Sequence, residues 1–380
     1  MNAPLPPSLS IETRALVDAV LAFISRDVGN NAGSVSHDKF VTADFDALAI
    51  RIFAHQYANN APYRRFCQGR GVTPRKVSGW RAIPPVPINA FKEVTLSSEP
   101  VGQCERVFMT SGTTRAGIKG RHHHPTLAVY DRSMTRNFAL RFMSGHERLP
   151  MAILFPPESE LRNSSLAHYL SLASTEFGTD ASRYFVGQAG IDVDGLRRWL
   201  EGARRADKPC AILGASYSFV HVLDAFAAEG ETFALPRGSR ILDTGGYKRA
   251  SRELTPANFY DALSLTFGVP REQCINMYGM TELSTQFYDD GNAVLPSVKS
   301  GPHWIRSRMI DPLTGDDVQK GDRGVLVHCD LANFNSTTSI LTEDVGIEVD
   351  GGFLLLGRAE GAEATGCSLA VREFLKAVAQ

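Results

Sequence analysis

Hydroxyl, glycine and basic residues are concentrated in one short stretch of the sequence, TSGTTRAGIKG at residues 110–120. Glycine lets backbone N–H groups approach an anion closely, and hydroxyl and ammonium groups donate hydrogen bonds to phosphate oxygens. The spacing is not that of a P-loop, because Ile118 separates Gly117 from Lys119. The stretch therefore indicates either a phosphate-binding loop of another kind or an ordinary solvated turn.

Two later stretches combine polar and acidic residues in a similar way: YGMTE at residues 278–282 and TEDVGIEVDGGFLLLGR at residues 342–358. A carboxylate is a suitable ligand for a hard cation such as Mg²⁺, and an aromatic face can stack on a base. Each stretch also has a structural interpretation, as a strand end or a hairpin. Because these two stretches and the stretch at residues 110–120 occur together in one chain, the three have to be interpreted jointly.

The elements that would position these residues follow an α/β pattern. Residues 1–100 are predicted to be helical and loop material, and from residue 151 short apolar runs alternate with helical stretches, which is typical of a largely parallel sheet. Beyond residue 300 the helical periodicity ends and strands are predicted. We expect an α/β core over residues 1–300 and a smaller β-rich subdomain with a short C-terminal tail over residues 301–380.

Composition excludes several classes of partner. Lys and Arg total 40 against 41 acidic residues, so the net charge of −1 gives no electrostatic footprint for nucleic acid. No apolar stretch approaches the ~20 residues of a membrane span, and the N-terminus does not resemble a signal peptide. The six cysteines are scattered, which predicts reduced thiols. We expect a cytoplasmic protein without nucleic-acid or membrane partners.

Together, in this order, the three stretches resemble the signature motifs of the adenylate-forming superfamily, whose members join a carboxylic acid to AMP. The resemblance implies the α/β fold of the large N-terminal domain of these enzymes, with layered sheets and a small distorted β-barrel region. It also implies that the cofactors are ATP and Mg²⁺. Two departures are Arg115, where glycine is usual, and Glu343, where the family usually has the glycine of T-G-D.

The resemblance assigns a role to each motif residue. Lys119 neutralises charge on the departing pyrophosphate, Thr281 contacts the α-phosphate and Glu282 holds Mg²⁺. Asp344 accepts hydrogen bonds from the ribose hydroxyls, and Arg358 reaches the ribose or a phosphate. The residues implied to surround the β- and γ-phosphates or the adenine are Thr110, Ser111, Gly112, Thr113, Thr114, Gly245, Gly246 and Tyr278.

The C-terminal part resembles one branch of the superfamily, the acyl-protein synthetases. Only 22 residues follow Arg358, so the mobile C-terminal domain of most adenylating enzymes is expected to be absent. The segment GRAEGAEATGCSL at residues 357–369 places Cys367 where this branch carries its acyl group. A thiolate can attack an acyl adenylate and a flexible tail can carry the thioester. The alternative is a small buried cysteine.

Two further residues are candidates for contact with the acid substrate, and one histidine tract is a candidate metal site. His168 and Ser216 lie in regions where the superfamily places residues beside the acid substrate, although His168 can equally be a satisfied structural histidine. The tract RHHHP at residues 121–125 is rejected as a metal site because neighbouring histidines on a strand face opposite sides.

We therefore expect ATP-dependent activation of a fatty or aryl acid to an acyl adenylate, followed by transfer to a thiol. The acceptor is Cys367, a reductase or carrier protein, or coenzyme A. The alternatives are a stand-alone ligase that serves coenzyme A or a carrier protein, and a nucleotide-binding module without turnover.

Overall fold

The computed structural model describes residues 5–6, 9–27, 39–110, 118–245 and 254–379. The α-helices in these ranges are α1 (Ile11–Ile24), α2 (Lys39–Asn59), α3 (Ala61–Gly69), α4 (Ala90–Glu93), α5 (Ala128–Phe138), α6 (Ser165–Phe177), α7 (Val193–Ala206), α8 (Ser216–Ala228), α9 (Pro256–Phe267) and α10 (Gly361–Ala379).

The strands in the same ranges are β1 (Val86–Pro87), β2 (Arg106–Met109), β3 (Arg121–His124), β4 (Met151–Leu154), β5 (Arg183–Tyr184), β6 (Val186–Gly187), β7 (Gly190–Ile191), β8 (Ala211–Ala215), β9 (Arg240–Thr244), β10 (Cys274–Tyr278), β11 (Phe287–Tyr288), β12 (Val298–Lys299), β13 (Ile305–Ile310), β14 (Arg323–Asp330), β15 (Ser339–Val349) and β16 (Gly352–Arg358). No helix among the described residues is sufficiently long and apolar to cross a membrane.

The contacts group the chain into two compact units. The first comprises residues 1–134, 280–285 and 298–380, and the second comprises residues 135–279 and 286–297. The predicted boundary at residue 300 lies close to residue 298, where the chain returns to the first unit. The prediction, however, groups residues 1–134 with the α/β core, whereas the contacts group them with residues 298–380. That division stays a prediction about domain organisation.

The second unit is an α/β layer with the sheet order β11-β10-β9-β8-β4-β5. Strands β5, β4, β8, β9 and β10 run parallel, and β11 is antiparallel at the edge. Strands β4, β8 and β9 are buried along their whole length, as parallel strands covered on both faces must be. The alternating strands and helices predicted from the sequence are confirmed here.

Local signals set the ends of α9 in this unit. The Thr255 hydroxyl accepts a hydrogen bond from the Asn258 N–H, Pro256 occupies the first turn, and Gly268 ends the helix with a φ of 68°. Each feature satisfies a terminal backbone group or a backbone conformation that other residues adopt at a cost. All three signals can be read from the sequence.

The first unit contains a second sheet with the order β12-β16-β15-β14-β13, in which the neighbours are antiparallel. Strand β1 from the N-terminal region joins it in parallel beside β15, with Val86 opposite Ile340. The strands predicted beyond residue 300 are confirmed.

The C-terminal residues differ from the expected short tail, because residues 361–379 form the helix α10. This helix buries Cys367 and Phe374, and the Phe374 ring lies 5.0 Å from the ring of Phe66 on α3. Ion pairs hold both ends: Arg323 donates two hydrogen bonds to Glu363, and Arg70 donates two to Glu373. The expectation of a flexible tail was wrong because these partners lie far from the helix in sequence.

Candidate active site

The proposed phosphate loop joins the two strands of a hairpin. Strands β2 and β3 pair antiparallel, and Thr110 closes the hairpin: its N–H donates to the Gly120 carbonyl at 3.0 Å, and its hydroxyl accepts from the Gly120 N–H at 2.9 Å. Lys119 is exposed beside this closure. The loop residues Ser111, Gly112, Thr113 and Thr114 lie outside the described residues.

Glu282 lies on a short segment, residues 280–285, that is fixed by backbone hydrogen bonds. The Ser284 and Thr285 N–H groups donate to the buried Asp330 carboxylate at 3.0 and 2.9 Å. The Asn333 amide donates to the Glu282 carbonyl at 2.8 Å. These buried partners fix the backbone that carries Thr281 and Glu282, although sequence analysis did not identify either Asp330 or Asn333.

His122 ties the same segment to the hairpin. Its Nδ1 lies 3.0 Å from the Thr281 carbonyl oxygen, which only accepts, so Nδ1 carries the proton. Its Nε2 then accepts from the Ser336 hydroxyl at 3.0 Å. Burial lowers the pKa of His122 to about 4, so the ring is neutral at pH 7. His122 thus positions Thr281 rather than carrying charge.

The Glu282 side chain is a buried carboxyl, 4% exposed, inside a group of charged residues. Burial raises its pKa to about 7, while the cations of Lys92 and Arg358 favour the ionised form and Asp344 opposes it. A Cβ on Gly120 would lie 3.1 Å from Glu282 Oε1, so a side chain at residue 120 would crowd the carboxyl group. The site thus contains a carboxyl group whose charge depends on its neighbours.

Asp344 and Arg358 are cross-strand partners on β15 and β16. Arg358 Nε lies 3.2 Å from Asp344 Oδ1, and an Arg358 NH group donates to Glu343 Oε2 at 3.2 Å. The structure therefore brings Glu282, Asp344 and Arg358 into one electrostatic group within the first unit. Glu343, noted in the sequence only as a departure from the superfamily pattern, is a partner of the same arginine.

Lys92 is a further site residue that sequence analysis missed. It lies on α4, and its Cγ is 3.6 Å from the position that a Cβ on Gly120 would occupy, the same position that lies beside Glu282. Its ammonium group donates to Asn89 Oδ1 at 2.8 Å. Nothing in the local sequence around residue 92 marks it, because its partners lie far along the chain.

In the second unit, three predicted residues lie at the carboxyl ends of neighbouring parallel strands. Ser216 follows β8, Gly245 follows β9 and Tyr278 ends β10. Ligands of open α/β sheets bind outside this edge. Gly245 has a φ of 81°, and the Tyr278 ring lies 5.8 Å from the Phe287 ring. Gly246 lies outside the described residues.

The Ser216 hydroxyl is engaged within the protein. It lies 2.8 Å from an Asp243 carboxylate oxygen and 3.0 Å from the Gly245 carbonyl oxygen, both of which accept hydrogen bonds. Asp243 also accepts from the Tyr260 hydroxyl at 3.1 Å. In this structure Ser216 therefore holds the segment around Gly245 in place.

His168, predicted to lie beside the acid substrate, is a largely buried residue of α6. Its Nδ1 lies 2.9 Å from Glu158 Oε1, and the side chain is 10% exposed. A carboxylate only accepts hydrogen bonds, so Nδ1 carries a proton. The pair gives the second unit a histidine with one fixed ring nitrogen.

Cys367 lies on α10 behind the strand that carries Asp344. Its thiol is 3.8 Å from the Thr342 carbonyl oxygen and packs among the apolar side chains Ile310, Val325, Val327, Leu341 and Val345. Burial, and then the negative charge of Glu343, raises the pKa of Cys367 to about 11. The thiol is therefore protonated and 4% exposed in this conformation.

We expect Cys367 to react slowly with iodoacetamide in the folded protein. With a pKa of about 11, roughly one thiol in a thousand is ionised at pH 8, and the rate should rise about tenfold for each pH unit between 7 and 10. Peptide mapping by mass spectrometry measures this rate, and the denatured protein is the control because its thiols ionise normally. Rapid alkylation at pH 7 would contradict the assigned environment.

The described residues contain no group of three or more His, Cys, Asp or Glu side chains able to hold a metal ion. Mg²⁺ differs from such cases because one or two carboxylates and substrate phosphates are enough to bind it. The buried Glu282 carboxyl group beside two cations fits that mode of binding.

The comparisons with known proteins decide the family. The family model of "Acyl-protein synthetase, LuxE" matches residues 36–376. The chain belongs to this family. It is accordingly an acyl-adenylate-forming ligase, which uses ATP to activate a carboxylic acid, and the alternative of a nucleotide-binding module without turnover is wrong.

Curated relatives agree with the assignment. The chain is 26% identical over 301 residues to a long-chain-fatty-acid–luciferin-component ligase of Vibrio harveyi, covering 78% of this chain and 76% of the relative. It is 24% identical over 308 residues to the ligase of the same name from Aliivibrio fischeri, covering 80% and 78%.

Solved structures confirm the fold. An open conformation of 2-hydroxyisobutyryl-CoA ligase in complex with 2-HIB-AMP and CoA superposes with a TM-score of 0.60 at 15% identity, covering 83% of this chain and 75% of that one. The thioesterification state of the same ligase gives 0.58 at 14% identity, covering 93% and 72%. The α/β fold of the large N-terminal domain of adenylate-forming enzymes, expected from the sequence, is confirmed.

Proposed function

We propose that this ligase activates a long-chain fatty acid with ATP and Mg²⁺ and transfers the acyl group to a thiol. The observation that most supports the proposal is the grouping of Glu282, Asp344 and Arg358 beside the Thr110–Gly120 closure within one unit. The chain length of the acid is inferred from the names of the curated relatives.

The first step is phosphoryl chemistry at the α-phosphate. A carboxylate oxygen of the acid attacks phosphorus, the bond to the pyrophosphate oxygen breaks, and acyl-AMP and pyrophosphate result. Negative charge on the transferring and leaving groups must be stabilised, which is the work of preorganised cations and hydrogen-bond donors. We assign this role to Lys119, Thr281 and Arg358, and we assign the ribose hydroxyls to Asp344.

Mg²⁺ would be held by Glu282, and when bound it neutralises charge on the phosphate oxygens. The Glu282 carboxyl group must be ionised for this contact. Burial raises its pKa to about 7 and the neighbouring cations oppose that rise, so a substantial fraction is ionised near neutral pH. We expect Mg²⁺-dependent activity to rise between pH 6 and 8 as this carboxyl group ionises.

We include Lys92 among the residues that contact the nucleotide. The positive charges of Lys92 and Arg358 both favour the ionised form of Glu282. A negatively charged α-phosphate bound beside Glu282 would therefore be attracted by the same two cations. Lys92→Ala should lower kcat for acid-dependent pyrophosphate exchange about 100-fold, the loss typical of removing one stabilising donor. Lys92→Arg should keep more of the activity because it keeps the charge.

The matched control for this prediction is Lys76→Ala. Lys76 is an exposed lysine of the same region, and its ammonium group donates to the Gly71 carbonyl at 2.8 Å. Its loss should leave exchange unchanged. Equal activity of Lys92→Ala and the wild type would remove Lys92 from the site.

The second step transfers the acyl group. A thiolate attacks the acyl carbon, the bond to the AMP oxygen breaks, and a thioester and AMP result, with the thiol proton passing to solvent. Cys367 is the acceptor that we propose from its position near the C-terminus. Because its thiol is 4% exposed, α10 must shift before Cys367 can reach an acyl adenylate.

The burial of Cys367 also favours a second candidate, an external thiol on a reductase, a carrier protein or coenzyme A. A panel of acids tests the substrate and acceptor together: AMP release is measured with fatty acids of increasing length and with aryl acids, with and without coenzyme A. AMP formation that rises with chain length supports the proposal, whereas activity with aryl acids alone overturns the fatty-acid assignment. Strict dependence on coenzyme A would replace Cys367 as the acceptor.

A further inference from the structure

Glu343 and Asn89 connect the N-terminal helix α4 to the strand that carries Asp344. The Asn89 side-chain amide donates to Glu343 Oε1, and Glu343 Oε2 accepts from Arg358 at 3.2 Å. On its other side, Asn89 Oδ1 accepts from the Lys92 ammonium group at 2.8 Å. A continuous series of contacts therefore runs from Lys92 through Asn89 and Glu343 to Arg358.

Chemistry fixes the direction of each contact in this series. An ammonium group only donates, and a carboxylate only accepts. Asn89 stands between one of each, and asparagine offers both an acceptor and a donor on one planar group. The amide can satisfy both neighbours in only one orientation, with its oxygen towards Lys92 and its nitrogen towards Glu343. An aspartate at residue 89 would instead face the Glu343 carboxylate with no proton between them.

The negative charge of Glu343 also helps to hold the Arg358 side chain in place. Arg358 is shared between Glu343 and Asp344, and its side chain is 67% exposed, whereas the side chains of Glu343 and Asp344 are 39% and 15% exposed. A long guanidinium side chain that is largely exposed loses considerable rotamer freedom on being held in one place. Two carboxylates on either side of it restrict that freedom before any ligand arrives.

We propose that Asn89 and Glu343 form a directional link that positions Lys92 and Arg358 for the nucleotide phosphates and ribose. This inference rests on the proposed function, since it assigns Lys92 and Arg358 to the ATP site. Neither Asn89 nor Glu343 needs to touch ATP, so both are positioning residues. The glutamate that departs from the superfamily pattern thereby acquires a role: it connects the ribose-binding strand to a cation on a distant part of the chain.

Reversing the polarity of the link provides a sharp test. In Asn89→Asp, two carboxylates face each other across a partly buried contact, so kcat/KM for ATP should fall about tenfold because a polar contact is lost and two like charges are brought together. Glu343→Gln keeps an acceptor for Asn89 and should cost about threefold. When both substitutions are combined, the new carboxylate accepts from Lys92 and from the new amide, whose oxygen still accepts from Arg358. We expect this double variant to recover to within about threefold of the wild type.

The readouts are acid-dependent pyrophosphate exchange, separated into kcat and the KM for ATP, and ATP affinity by calorimetry. Asp350→Asn, a change at a side chain that is 99% exposed in the turn between β15 and β16, is the control and should match the wild type. Thermal unfolding midpoints show whether each variant is folded. A purely structural link would recover the midpoint without recovering kcat/KM.

Recovery of kcat/KM in the double variant supports the link. A double variant that is as impaired as the product of the single effects overturns it, as does an unimpaired Asn89→Asp. A wild-type protein that binds ATP without exchanging pyrophosphate would contradict the proposed function instead, and the affinities of the same four proteins would then still test the link. A single variant that unfolds is replaced by Asn89→Ala, which should lose affinity without recovery by Glu343→Gln.

Discussion

Glu282→Gln should lower acid-dependent pyrophosphate exchange by a factor of about 100 or more, because it removes the carboxylate that we assign to Mg²⁺. The same substitution should stabilise the protein above pH 7. The native carboxyl group is buried, and burial raises its pKa to about 7 from an ordinary value of 4.5. Ionising Glu282 in the folded, ligand-free protein therefore costs free energy that a neutral glutamine does not.

The sign of the pH dependence follows from proton binding. Between pH 4.5 and 7 the folded state holds the Glu282 proton more tightly than the unfolded state, so the free energy of unfolding falls as pH rises through this interval. At pH 8 the glutamine variant should be more stable by roughly 1 to 3 kcal/mol, and at pH 4 the difference should vanish.

Urea unfolding at both pH values measures the difference, and exchange assays measure the activity. Glu93→Gln is the matched control, since Glu93 is an exposed carboxylate on α4 near Lys92, and it should change neither quantity. Full activity of Glu282→Gln would remove Glu282 from the metal site. A variant that is inactive but no more stable at pH 8 would contradict the buried, partly protonated carboxyl group.

Cys367→Ser should abolish covalent acylation of the protein while leaving acyl-adenylate formation intact. The reason is that an alcohol is a far weaker nucleophile than a thiolate, whereas Cys367 is not assigned to the phosphate or ribose. Intact-protein mass spectrometry after incubation with ATP, Mg²⁺ and a long-chain acid measures the adduct. Treatment with hydroxylamine should remove it, as expected for a thioester.

Cys104→Ser supplies the control for this second prediction, because Cys104 is a partly exposed cysteine on a different part of the first unit. It should acylate like the wild type. An adduct that persists in Cys367→Ser would move the acceptor to another residue. Acylation of the wild type should also accelerate with pH, because the thiolate rather than the thiol is the nucleophile.

The parts of the fold that depend on local sequence were predictable. Buried apolar runs predicted β4, β8 and β9, and the cap residues Thr255 and Gly268 predicted the ends of α9. Helix α10 was not recognised because the residues it contacts, such as Phe66, Arg70 and Arg323, lie far from it in sequence, and no local pattern reveals such contacts. Likewise, the addition of β1 to the sheet beside β15 joins strands about 250 residues apart.

The residues of the candidate site also fall into those that the sequence identified and those that only the structure identified. Glu282, Asp344 and Arg358 were recognisable because each belongs to a short motif that resembles a signature motif of the adenylate-forming superfamily. Lys92 and Asn89 were not, because the sequence around them resembles an ordinary helical turn and their significance comes from neighbours around residues 282 and 343. For Cys367, the sequence left both an acyl-carrying role and a small buried cysteine open, since the apolar residues that surround it come from three strands.

The central claim is that this chain makes an acyl adenylate, and acid-dependent exchange of labelled pyrophosphate into ATP tests it most directly. The reverse of the first step regenerates ATP, so exchange requires only the adenylation site and no acceptor. With purified protein, Mg²⁺ and a long-chain fatty acid, we predict label in ATP that disappears when the acid is omitted. No exchange with any fatty or aryl acid, from a folded protein that binds ATP, would contradict the account.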